Sequence, residues 1–206
     1  MKNRNNTAEF SGIVKTAPVL GHNIYKEDFY HFDLMIPRLS GVSDVLPVTL
    51  SGKLIDTENL KPGDTVHILG QVRSYNKIVE MKNRLDIRIF ALEIEKIPEK
   101  DFINEVMIEG YLCKAPVYRI TPFGREIADM LIAVNRSFGK SDYIPAIAWG
   151  RNARFVSNAE VGQKLYLMGR LQSRLYEKKL ENGLVENRVA YELSAAFVER
   201  IEKEDE

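Results

Sequence analysis

Apolar and polar side chains alternate with a period of two through much of this chain, the mark of half-buried β-strands. The clearest run is Ala128, Met130, Ile132 and Val134, set against Asp129, Leu131 and Ala133, which predicts a strand over 125–136. Similar runs predict strands over 106–114 and 143–150. A helix-compatible stretch then fills 151–159, and Val161-Gly162-Gln163 turns into a fourth strand over 164–172. A long hairpin turning at Asn182-Gly183, a favoured two-residue turn, leads to a last strand over 188–200. Five strands with a short helical or irregular connection between the third and fourth is the pattern of an OB-fold barrel.

The same pattern occurs earlier in the chain. The segment Asn6–Val19 lines up with Asn104–Val117 at an offset of 98 residues, and the match continues through Arg38 on Arg136, Pro47 on Pro145 and Gly52 on Gly150. The offset becomes 99 at Gly70 on Gly169 and Ser74 on Ser173, and 104 at Arg84-Leu85 on Arg188-Val189. Two tandem domains of one all-β fold follow. They are expected over 1–98 and 105–201, with a short charged linker between them and an acidic tail over 202–206. The last change of offset adds five residues to the hairpin between strands 4 and 5 of the second copy, a loop that commonly contacts oligonucleotides in this fold. Free drift of a surface loop explains the insertion equally well.

Comparison of the copies shows which face is outward. In the first copy Leu46, Val48 and Leu50 share one face of strand 3, which must be the core face. The same parity in the second copy puts Ile144, Ala146 and Ala148 inside and turns Tyr143, Pro145, Ile147 and Trp149 outward. Phe138 and Tyr176 also fall at non-core positions. Thus Phe138, Tyr143, Trp149 and Tyr176 stand where the first copy has Ser40, Val45, Ser51 and Lys77. Aromatics gained on an outer face need a partner. Interleaved with them are Arg136, Lys140, Arg151, Arg154, Arg170, Arg174, Lys178 and Lys179. Unpaired bases stack on aromatics, at roughly 1–3 kcal/mol each, while Lys and Arg meet phosphates. Neither interaction reads sequence, so the mixture suits sequence-tolerant binding of single strands.

Composition adds little. The net charge is zero, although residues 105–201 carry 14 basic and 11 acidic side chains, nine of the 14 being arginine. The single cysteine, Cys113, excludes an intramolecular disulfide and any multi-cysteine zinc site. No apolar run is long enough to span a bilayer, and the N-terminus leads into no signal region, so a cytoplasmic protein is expected. No phosphate-binding glycine loop, metal-ligand pattern or nucleophile elbow occurs, and His22, His31 and His67 read as surface or packing residues. An enzyme is therefore not expected, nor a cofactor or metal.

The segments Leu131–Phe138, Asp142–Gly150 and Gly169–Tyr176 resemble the strand motifs of the bacterial single-stranded-DNA-binding proteins, and the likeness spans about 105–201. The resemblance implies base stacking at Phe138, Tyr143, Trp149 and Tyr176, and phosphate contacts at Arg119, Arg151 and Arg174. It implies a role in DNA replication, recombination or repair. It also implies assemblies of four OB-folds, here a homodimer of two-barrel chains. Two departures stand out. The chain stops at Glu202–Glu206 without the apolar tip through which the family recruits replication and repair enzymes, so that route is not expected. The first copy lacks all four stacking aromatics; it either serves assembly or binds through other groups such as Tyr25, Phe29, Tyr30, Arg73 and Tyr75. The same outward aromatics also fit a protein-interaction module of the replication or primosome machinery, or an RNA-binding protein.

Overall fold

The computed structural model describes residues 5–79, 82–98, 101–179 and 183–202. The first half contains β1 (Asn6–Val14), β2 (Val19–Ile24), β3 (Glu27–Pro37), β4 (Ser43–Ser51), β5 (Thr65–Val79) and β6 (Lys82–Lys96). The second contains β7 (Asn104–Leu112), β8 (Val117–Ile120), β9 (Glu126–Asn135), β10 (Ser141–Trp149), α1 (Gly150–Ser157), β11 (Lys164–Lys179) and β12 (Val185–Arg200).

Each half closes a five-stranded OB-fold barrel. In the first, β3 pairs with both β1 and β4, β4 runs parallel to β6, and β5 joins β6 to β1. The second repeats these pairings with β7, β9, β10, β12 and β11. The registers repeat too: Val48 opposite Ile89 becomes Ala146 opposite Leu193, and the irregularity at Leu69/Gly70 recurs at Met168/Gly169. The connection between barrel strands three and four is α1 in the second barrel and only a 3-10 turn, Thr57–Asn59, in the first.

Each barrel also carries an edge strand that the alternation did not predict, β2 on β3 and β8 on β9. Every residue of both is exposed, so neither presents a buried face for a period-two pattern to mark. The hairpin arms differ as the offsets require. The first ends at Val79 opposite Lys82 and the second at Lys179 opposite Val185. Of the expected turn, Asn182 lies outside the described residues; Gly183 has φ of 81°, the left-handed region that favours glycine.

The barrels are joined edge to edge. β1 pairs antiparallel with β7, with Ala8 opposite Val106 and the equivalent pairs Asn6–Ile108 and Phe10–Asn104 to either side. This register is symmetric under exchange of the two copies, so a pseudo-two-fold axis passes through the junction. Core side chains line both barrels: Phe10, Leu34, Leu46, Leu50, Ile68 and Ile89 in one, Ile108, Leu112, Ile132, Ile144 and Leu165 in the other. Ala8 and Val106 connect them.

Polar contacts lock the seam in matched pairs. The Ser173 amide donates to Asp44 Oδ1 at 2.8 Å, and the Ser74 amide donates to Asp142 Oδ1 at 2.7 Å. In return the Val45 and Tyr143 amides donate to the Ser173 and Ser74 hydroxyls at 3.1 and 2.7 Å. Both carboxylates have no exposed side-chain surface and each faces an arginine, Arg38 or Arg136. Among the described residues no helix is long and apolar enough to cross a membrane.

Candidate nucleic-acid interface

Alternation along β10 sets the outer surface of the second barrel. Ile144, Ala146 and Ala148 are buried, whereas Tyr143 is 44% and Trp149 38% exposed. Ile147 shares their outward row, as expected, yet is only 4% exposed. It forms part of the floor of an open groove of about 1010 Å³ whose rims rise around it. Trp149 stands in this groove, its indole N–H donating to Ser194 Oγ at 3.2 Å.

Arginines surround the tryptophan. Arg119, Arg170 and Arg174, all expected from sequence, line the groove, and Arg125 and Arg38 join them. Five arginines and two carboxylates, Glu105 and Glu192, line the groove, so positive charge predominates on its walls. Three of the arginines are oriented by acidic partners: Arg38 pairs with the buried Asp44, Arg119 Nε donates to Asp129 at 2.8 Å and Arg174 Nε to Glu192 at 3.3 Å. Arg38 belongs to the first barrel and reaches the groove across the seam. Its sequence signal was its alignment with Arg136 in the repeat. Arg125 opens β9 from the preceding turn, and no pattern marked it.

Tyr176 lies farther out on the same face. Arg170, Gln172, Arg174 and Tyr176 alternate along β11, so the groove continues onto the hairpin arm. The Arg174 guanidinium stands 5.8 Å from the centre of the Tyr176 ring. Lys178 continues this row, and exposed Lys179 follows at the end of the strand.

The remaining expected residues lie elsewhere. Phe138 sits in the turn Ser137–Gly139, is 98% exposed and has φ of 63°, an uncommon conformation for a bulky side chain. Tyr143 and Lys140 line a separate cleft at the seam. Arg136 is held at that seam by the buried Asp142 carboxylate, their nearest atoms 3.1 Å apart. Arg151 and Arg154 are on α1, exposed; Arg154 pairs with Glu126.

The equivalent face of the first barrel is filled by its own side chains. His22 stacks on Phe29 with ring centres 5.0 Å apart, Phe29 lies 6.1 Å from Phe90, and Arg73 covers Phe90 at 3.5 Å. His31 Nδ1 and Thr49 Oγ1 share a hydrogen bond of 3.0 Å, and Ser51 donates to Glu27 at 2.5 Å. Thr49 and Ser51, the counterparts of Ile147 and Trp149, are therefore buried although they point outward. Burial, together with neighbouring Arg88 and His22, holds the His31 pKa below its ordinary value.

Comparison with known proteins agrees with this geometry. The model of the Single-strand binding protein family matches residues 103–201. That match takes in the whole of the second barrel, β7 to β12. A single-stranded DNA-binding protein of Clostridium tetani is 34% identical over 84 residues, 37% of this chain and 58% of that protein. Single-stranded DNA-binding protein A of Bacillus subtilis is 37% identical over 84 residues, 37% of this chain and 49% of that protein. The chain thus spans about half the length of the curated relatives it matches. The wild-type single-stranded DNA binding protein of Thermus aquaticus superposes with a TM-score of 0.79 over 98% of this chain and 95% of that one. At 19% identity that likeness concerns the fold, two tandem OB-fold barrels.

Proposed function

We propose that this chain binds single-stranded DNA without marked sequence preference, as a protector of exposed strands in replication, recombination or repair. The observation that carries the reading is the contrast between the two outer faces. The second barrel presents an open groove with Trp149 among arginines, while the first has closed the same face with its own rings. Bases stack on Trp149 and Tyr176, with Phe138 and Tyr143 extending the path. Arg119, Arg170 and Arg174 meet phosphates in the groove, and Lys140, Arg151, Arg154, Lys178 and Lys179 beyond it. Arg136 serves mainly to hold the seam. The first barrel, 1–98, serves chiefly assembly, and 105–201 binds the strand.

Two chains associate as a homodimer in this reading. Leu69, Met107, Met168 and Phe197 are each more than a third exposed on the outer face of the sheet that runs through the β1–β7 junction. Light scattering should report twice the chain mass, and Met168→Glu should return it to the monomer.

Titration of the full chain with oligo(dT), read through Trp149, the single tryptophan, tests the function. Strong quenching at low salt, reversed by added salt and nearly absent with duplex, is expected. Each phosphate neutralised should add about 0.7 to the salt slope. No quenching together with no retained oligomer in a gel shift overturns the reading. Tighter binding of oligo(U) than of oligo(dT) would overturn the assignment to DNA.

A further inference from the structure

We infer that the seam between the barrels holds a second strand-binding subsite, where Tyr75 of the first barrel and Tyr143 of the second flank a base and Lys140 meets its phosphate. The inference rests on the function proposed above and extends it to residues of the first barrel.

A cleft of about 300 Å³ opens at the seam, lined by Tyr75 and Asn76 from β5 and by Arg136, Lys140, Ser141 and Tyr143 from the second barrel. That volume is at the lower end of small-ligand sites, which run from about 300 to 1,000 Å³. The two tyrosines are fixed through their neighbours. Tyr75 follows Ser74, whose amide is bound by Asp142, and Tyr143 follows Asp142 and donates its own amide to Ser74 Oγ at 2.7 Å. The backbones that carry two aromatic side chains from different barrels are thus held at one opening by reciprocal hydrogen bonds. Such preorganisation lowers the ordering cost of binding.

The charge of the cleft points to an anion. Among the described residues no carboxylate lines it, and Lys140 is exposed at its edge. Asp142, buried at the same seam, already faces Arg136 and lies near Arg73. Burial lowers the Arg73 pKa against the opposing pull of Tyr75, Arg136 lowers it further, and Asp142 acts to raise it. Aromatic rings beside an exposed lysine fit a nucleotide better than an acidic peptide, which need offer no ring to stack.

The cleft is separate from the main groove, but one strand serves both. Tyr143 and Trp149 lie on one outward row of β10, six residues apart, or roughly 20 Å along a strand. A nucleic-acid strand following β10 therefore passes Trp149 and then reaches the seam.

The test compares full-length wild type with Tyr75→Ala, Tyr75→Phe and Lys140→Ala, using an oligo(dT) of about six nucleotides, within the reach of one barrel, and one of about thirty. Trp149 emission reports binding throughout. Tyr75→Ala should weaken the long oligomer by about 5- to 150-fold, the value of one lost base stack, and leave the short one unchanged. Tyr75→Phe should bind as wild type. Lys140→Ala should lower the salt slope by about 0.7 on the long oligomer. Unchanged long-oligomer affinity in Tyr75→Ala overturns the subsite, as do equal losses on both lengths, which would trace Tyr75 to folding. A wild type that binds neither oligomer overturns the proposed function instead.

Discussion

Replacing Asp142 by alanine and by asparagine separates the two contributions its carboxylate makes to the seam. One oxygen accepts the Ser74 amide at 2.7 Å. The other lies 3.1 Å from Arg136 Nε without a well-aligned hydrogen bond. The side chain has no exposed surface, and burial outweighs the Ser74 and Arg136 contacts, so its pKa is raised above the ordinary 3.8. The folded protein thus favours the ionised carboxylate less than water does. Removing the charge while keeping an acceptor should therefore be mild, and Asp142→Asn should shift stability by no more than about 1 kcal/mol at neutral pH. Asp142→Ala also strands the Ser74 amide and the Arg136 guanidinium, and should cost about 3–5 kcal/mol. Urea unfolding of the full chain measures both as midpoint shifts at constant slope. The sign of the pH effect follows from the same shift. A carboxyl whose folded pKa is raised contributes most stability below its unfolded pKa and loses that contribution as pH rises through the folded value. Wild type should accordingly lose ground to Asp142→Asn on raising the pH from below 4 towards neutrality. Equal losses for the two variants, or wild type gaining over Asp142→Asn with rising pH, would refute the reasoning.

Other perturbations read other parts of the fold. A methyl group at Gly169 would meet Ser194 O at 2.1 Å and Ala195 Cα at 2.9 Å, both backbone atoms, so Gly169→Ala should cost about 1–3 kcal/mol in thermal unfolding. His31 should behave oppositely to Asp142. Its lowered folded pKa gives stability that is complete above about pH 6.5 and lost as pH falls through the folded value, a dependence that His31→Gln should flatten in a pH series of melts. Phe138→Gly relieves a left-handed backbone worth about 1 kcal/mol but enlarges the entropy of the unfolded chain, so Tm should stay within about 2 °C while oligo(dT) affinity falls. Tyr176→Ala should weaken oligo(dT) by about 5-fold or more with unchanged stability, because its ring is partly exposed on the arm.

Most of the fold was legible because it depends on alternation, which burial imposes wherever one face of a strand meets a core. Ala128, Met130, Ile132 and Val134 are all buried as their spacing required. β2 and β8 escaped because an exposed strand is selected by pairing alone and leaves no periodic trace. The direction of Tyr143 and Trp149 was legible through the repeat, but the burial of Ile147 was not. Parity fixes the side of a sheet a residue faces; the depth of the surface there depends on neighbouring strands. Arg38 shows a stronger limit. It lines the groove of a barrel to which it does not belong, brought there by the β1–β7 pairing and by the Asp44–Ser173 contacts across the seam.

The two halves retain the same residues at the seam and differ on the outer face. Asn6 and Asn104 bond the backbones of Val72 and Leu171 in the same way, and Arg38, Asp44 and Ser74 have their identical partners in Arg136, Asp142 and Ser173. An interface with two-fold symmetry uses the same patch twice, so each of these residues is required on both sides of the junction. The outer face carries no such demand. There His31 faces solvent-side neighbours where the second barrel has Asp129, Thr49 stands for Ile147, Ser51 for Trp149, Arg73 for Gln172 and Phe90 for Ser194. Phe90 and Arg73 fill in the first barrel the space that Ser194 and Gln172 leave open in the second. A small side chain at position 194 therefore matters as much as the tryptophan it hydrogen-bonds, since a ring there would close the groove from within.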